Sequence, residues 1–110
     1  MEFTDELLKK LASEGINFSR EDDGHICYMS NYEHASAEID PVAESFKVVN
    51  ECRDGDESGV ICERTFANQF DGRVPSAEEV LRDISKACEA IDQGLENAFN
   101  TLSGYDIKSY

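Results

Sequence analysis

The residues able to do chemistry gather in two glycine-centred stretches. One reads RDGDESGVICERTF over residues 53–66, setting Asp54, Asp56, Glu57 and Glu63 around Gly55 and Gly59, with an apolar run of Val60, Ile61 and Cys62 between. The other reads SREDDGHICYMS over residues 19–30, with Glu21, Asp22 and Asp23 ahead of Gly24 and then His25, Ile26 and Cys27. Carboxylates at alternate positions around a glycine turn are one way to hold a hard cation. A histidine near cysteines could instead offer nitrogen and thiolate to zinc, or form a Cys–His nucleophile pair.

Residues 54–65, DGDESGVICERT, resemble the calcium loop of the EF-hand family. Asp54, Asp56 and Ser58 stand at alternate ligand positions, Gly59 at the sharp turn and Ile61 at the short-strand position. The earlier stretch matches more sparsely, through Ser19, Glu21, Asp23, Gly24 and Ile26. The resemblance implies a mainly α fold, a degenerate EF-hand-like pair with a regulatory role. Thr65 and Ser30 occupy the last position, where the family places a bidentate Glu. Without its two oxygens tight calcium binding is not expected. The same letters also spell turns feeding strands. Asp23-Gly24, Asp54-Gly55 and Ser58-Gly59 are turn dipeptides, and HICYMSN (25–31) and VICERTF (60–66) are rich in β-formers. The turn-into-strand reading accounts for both stretches and leaves their acidity on the surface.

Other chemistry finds little support. Cys27, Cys52, Cys62 and Cys88 form no CxxC, and their spacing matches no zinc ribbon. A zinc site from His25, Cys27, Cys52 and Cys62 would require the fold to assemble it. Neither His25 nor His34 has an orienting third group at a recognisable spacing from a thiol. There is no phosphate-binding glycine loop, HExxH or Gly-X-Ser-X-Gly elbow. The expectation is a protein that is not an enzyme and has no metal or cofactor.

The strongest periodicity lies near the C-terminus. Ser76 with Glu79 makes a capping box after Pro75, and Leu81, Ile84, Cys88, Ile91, Leu95, Ala98 and Leu102 alternate by three and four. This predicts one helix over 77–103, weakened by Gly94 and stopped by Gly104. Its stripe suits packing on a sheet better than a coiled-coil seam, which leaves a homodimer as the alternative. A short helix capped by Thr4 carries Leu7, Leu8 and Leu11 and ends near Glu14 and Gly15. Between them, residues 42–52 fit either a helix begun by Asp40 and Pro41, which is favoured, or one arm of a hairpin closed by RDGDESG. The expected fold is α+β in a single domain spanning 1–110: a short N-terminal helix, a small antiparallel sheet or β-hairpin, and a long C-terminal helix packed on it.

Charge points to the class of partner. The chain has 110 residues, with 24 acids against 10 bases and a formal net charge of −14. Such a field repels nucleic-acid phosphates and anionic membranes. It suits a basic protein surface. The start, MEFTDELLKKLASEG, does not resemble a signal peptide, and no window has the apolar length of a membrane span, so a cytoplasmic setting with reduced thiols is expected. On the outer face of the predicted long helix stand Glu79, Asp83, Glu89, Asp92 and Glu96. At the helical rise, carboxylates there recur about every 4.5–9 Å, the scale of phosphates along a strand. The leading expectation is therefore an inhibitor that occupies the nucleic-acid-binding surface of a basic enzyme or complex, as antirestriction and some anti-CRISPR proteins do. Its contacts would be Asp83, Glu89, Asp92 and Glu96, then Asp54, Asp56 and Glu57. The alternative is a binding module that uses apolar contacts. Element order and acidity resemble the type III secretion chaperones, without a shared motif, and a toxin-immunity protein is of the same kind.

Overall fold

Thr4 starts the first helix, α1 (Asp5–Ser13), by accepting the Leu7 N–H at 3.1 Å, with Asp5 and Glu6 at its positive end. Leu11 is fully buried, and Gly15, at φ +83°, turns the chain away where a left-handed conformation is needed. The description covers residues 2–50, 59–68, 70–94 and 100–107 of a computed structural model.

Five strands follow: β1 (Phe18–Arg20), β2 (Ile26–Met29), β3 (Ala35–Asp40), β4 (Ser45–Asn50) and β5 (Gly59–Asn68). Helix α2 (Ala77–Asp92), a 3₁₀ turn (Asn100–Leu102) and strand β6 (Tyr105–Ile107) complete the described chain. The strands form one antiparallel sheet in the order β1-β2-β3-β4-β5-β6. The fold is α+β as expected, with a sheet much larger than a hairpin.

Two expectations are corrected. The described part of the segment, residues 42–50, forms no helix. Asp40 Oδ1 accepts the Val42 and Ala43 N–H groups at 3.1 and 3.0 Å, an Asx turn that delivers the chain into β4. An aspartate that caps a helix accepts from the same positions, so the local letters cannot separate the two outcomes. β4 then pairs with β5 from Ser45↔Thr65 to Asn50↔Gly59, the hairpin alternative. With β1 and β2 also paired as a hairpin across residues 19–30, a mainly α EF-hand-like pair is ruled out as the fold. The C-terminal helix, in turn, ends at Asp92 rather than 103. Gly94 adopts φ +70° and donates its N–H to the Ile91 carbonyl at 3.0 Å, so the glycine that merely weakens a longer helix on paper is its stop. Leu102 still reaches the core, from the 3₁₀ turn, and Tyr105 anchors there with 5% exposure; Gly104 ends no α-helix.

The apolar cluster sits between the sheet and α2. Ile26, Ala35, Ala37, Ile39, Phe46 and Val48 point inward at alternate strand positions and meet Val80, Leu81, Ile84, Ala87 and Cys88 of α2. Phe66 lies edge-on to Phe3 at 5.5 Å, and Phe46 edge-on to Tyr105 at 5.3 Å. The α2 stripe is consumed by its own sheet, as the packing expectation had it. None of the described helices is long and apolar enough to cross a membrane.

Polar contacts secure α2 at both ends. Near its start, Arg82 donates to both Glu14 oxygens at 3.1 and 2.8 Å and to Glu78 at 3.0 Å, while Lys10 donates to Glu78 at 2.8 Å, tying α2 to α1. At its end, the buried Asp92 accepts from the Ser30 hydroxyl (2.8 Å) and from the Tyr32 and His34 N–H groups (2.8 and 3.0 Å). Burial pushes the Asp92 pKa upward, but these donors together hold it below the usual carboxylate range.

Asp92→Asn should therefore destabilise the fold by about 1.5–3 kcal/mol, read by urea denaturation near neutral pH. Because the folded pKa is depressed, the stabilisation is present above the unfolded value of about 3.9 and is lost as pH falls through the folded one. The wild-type advantage over the variant should shrink in that acid window. An advantage that stays constant there would show that ionised Asp92 is not what holds the turn.

Candidate functional site

The outward face of the sheet carries the alternate residues. Cys27, Glu38, Lys47 and Glu63 stand in register across β2–β5, and His25, one residue before β2, stands level with Asp40 at the end of β3. A shallow hollow of about 330 Å³ opens between His25, Glu38, Asp40, Lys47 and Glu63. A second, of about 380 Å³, adjoins it on the far side of Glu38 and Lys47, towards Cys27 and Met29.

His25 is the centre of this face. Its Nδ1 contacts Glu38 Oε1 and lies 3.6 Å from Asp23 Oδ2, and its Nε2 lies 3.4 Å from Asp40 Oδ2. Each acid is held by its other oxygen. Asp23 Oδ1 accepts the His25 N–H at 2.9 Å, Asp40 Oδ1 accepts in its own turn, and Glu38 Oε2 lies 3.5 Å from Lys47 Nζ. The hydrogen bond to Glu38 is the largest cause raising the His25 pKa. Desolvation opposes it, and the Asp23 and Asp40 charges add to it. The Asp40 carboxyl is held low, first by the Ala43 N–H.

Among the described residues, the thiols of Cys27, Cys62 and Cys88 do not assemble with this histidine into a zinc or nucleophile site. Cys27 shares the outward face, whereas Cys62 pairs opposite the inward Val48 and Cys88 is buried in α2. Burial is the main cause raising all three pKa values, with Cys88 pushed up to about 12, the reverse of an activated thiolate. Cys52 lies outside the described residues.

Three of the acids expected to face a partner accept hydrogen bonds from the protein itself. Asp83 accepts the Tyr105 hydroxyl at 2.7 Å, Glu89 accepts the Tyr28 hydroxyl at 2.6 Å and the Asn31 N–H at 3.1 Å, and Asp92 is buried. Burial first, and then these carboxylates, push both phenols well above the usual tyrosine range. Glu96, Asp54, Asp56 and Glu57 lie outside the described residues. Glu38 and Asp40 were missed in the sequence although ASAEID, the whole of β3, alternates small apolar and polar residues. That period-two signal was open to view, but alanine is a weak strand former and Asp40-Pro41 suggested a helix start.

In metal-free buffer the His25 ring should titrate above the ordinary value of about 6.5 by NMR, and Glu38→Gln should lower its pKa more than Asp40→Asn does. With the folded pKa raised, the contribution of this contact to stability is complete below the unfolded value and fades as pH rises through the folded one. An unchanged titration in Glu38→Gln would dismiss Glu38 as the controlling partner. No protein-family model, curated protein or solved structure matches the chain.

Proposed function

We propose that this is a non-catalytic, cytoplasmic binding protein that occupies the basic, nucleic-acid-binding surface of a partner enzyme or complex. The observation that carries the reading is the net charge of −14. Because Asp83, Glu89 and Asp92 already accept internal hydrogen bonds, the reading draws also on the outward sheet face and its rim. There Glu21, Asp22, Asp23 and Glu44 are exposed beside the half-exposed Glu38 and Asp40. Asp54, Asp56, Glu57 and Glu96 add to the net negative charge. Carboxylates stand in for phosphates in this mode, and the attraction weakens as salt screens it.

A second reading has its own observation. Val42 and Phe70 are 94% and 83% exposed, apolar groups through which a small acidic secretion chaperone or toxin-immunity protein would hold its partner.

A nuclease-treated bacterial lysate passed over the immobilised protein separates the two. The proposed function predicts capture of a basic nucleic-acid-binding protein at about 50 mM salt, its release by about 500 mM, and its displacement by added DNA. The triple variant Glu21→Lys, Asp22→Lys, Glu44→Lys should weaken that complex at least about tenfold while leaving the fold intact. Capture that survives high salt and fails in Val42→Ser with Phe70→Ser would replace the mimic by the apolar-docking protein.

A further inference from the structure

The geometry around His25 points to a further function at the centre of the same sheet face. We infer that Asp23, His25 and Glu38 bind one borderline divalent cation of the zinc, cobalt or nickel class, with Asp40 orienting the ring from behind. One donor atom from each of the three residues lies within 4.8 Å of the other two.

The two edges of the ring have different environments. On the Nδ1 edge stand Glu38 Oε1 and, at 3.6 Å, Asp23 Oδ2. On the Nε2 edge stands Asp40 Oδ2, at 3.4 Å. A metal-bound imidazole commonly gives its other N–H to a carboxylate, which sets the tautomer and the ring plane. Asp40 is placed for that role, leaving Nδ1 for the ion. The Oδ1 of Asp40 is held by the Val42 and Ala43 N–H groups, so the orienting group is itself anchored.

Distances and charge agree with such an ion. Metal–ligand bonds of about 2.0–2.1 Å in a tetrahedron put ligand atoms about 3.3–3.4 Å apart. Asp23 Oδ2 already lies near that distance from Nδ1. Glu38 Oε1 has to withdraw, which a half-exposed side chain on a strand can do by rotating about its own bonds. A divalent ion would take the place of the Nδ1 proton and balance the charges of Asp23 and Glu38, while Lys47 stays beside the other Glu38 oxygen at 3.5 Å. One nitrogen and two carboxylates suit zinc-class ions. Calcium and magnesium prefer all-oxygen shells, so the imidazole nitrogen favours the zinc class over both. Three protein ligands leave a fourth position to water or to a group from a partner.

The test uses the full chain with reduced thiols and zinc chloride, followed by calorimetry and by NMR of the two histidine rings. One equivalent of zinc should saturate the protein and shift the His25 ring while leaving His34 in place. His25→Ala should weaken binding at least about 100-fold, and Asp40→Asn about 10-fold or more, within the range for lost outer-shell partners. Cys27→Ser should bind as the wild type does. Glu38→Gln, which keeps the shape of the side chain, should lose affinity as well, so that a folding defect in one variant does not decide the matter. The inference is overturned if His25→Ala binds zinc like the wild type, if zinc moves both rings alike, if calcium saturates the site as zinc does, or if no saturable binding is found. None of these outcomes depends on whether the protein docks on a basic partner.

Discussion

The architecture rests on how one face of a single six-stranded sheet is buried. Among the described helices, α2, of 16 residues, is the one long enough to cover the middle of it. Val80, Leu81, Ile84, Ala87 and Cys88 of that helix have no exposed surface. The strand beneath offers Ala35 and Ala37, small enough for a helix to approach closely, while the bulky Phe46 and Phe66 fill the space to one side. Each large aliphatic buried here contributes about 1.5–3 kcal/mol, against about 1 kcal/mol for a typical hydrogen bond. Apolar contact therefore supplies the stability. The polar contacts at the ends of α2 fix where it lies.

Those polar contacts explain how so acidic a chain closes up. Excess like charge opposes compaction. Negative charge near a helix C-terminus is also unfavourable, and the last turn of α2 contains no base. Glu89 and Asp92 are nonetheless accommodated, because the turn between β2 and β3 brings backbone and hydroxyl donors to them. Carboxylates of α2 thus do the work of turn-closing acceptors. Asp83, Glu89 and Asp92, whose helix spacing suggested a row of phosphate substitutes, each accept hydrogen bonds from the protein itself.

On the outward face the same residue type behaves differently. Asp23, Glu38 and Asp40 converge on one imidazole, and each keeps an oxygen directed at it while the other is held elsewhere. The rim acids Glu21, Asp22 and Glu44 remain exposed. The proposed docking draws on this second population, and the proposed cation site on its ordered centre. The two roles make different demands, since docking needs charge that a partner can reach and metal binding needs donors held in place.

Much of the local structure was legible in the chain. The Thr4 and Ser76 caps, the α1 stripe and the start of α2 follow from residue types a few positions apart, because capping and amphipathicity are local effects. The β-rich runs after Gly24 and Gly59 became β2 and β5 for the same reason. Where one stretch allowed two outcomes, the chain alone could not choose. Asp40-Pro41 serves a helix cap and an Asx turn equally well, and the pairing of β4 with β3 and β5 decided for the turn. The long apolar period continued past Gly94, but the helix stopped there and the later leucine reached the core by another path. Composition and local pattern determined that the protein is acidic, that it is α+β, and where its first helix lies. Which carboxylates turn inward, and which gather around His25, depended on strands brought side by side, since only their register puts Asp40 beside a histidine far from it in sequence.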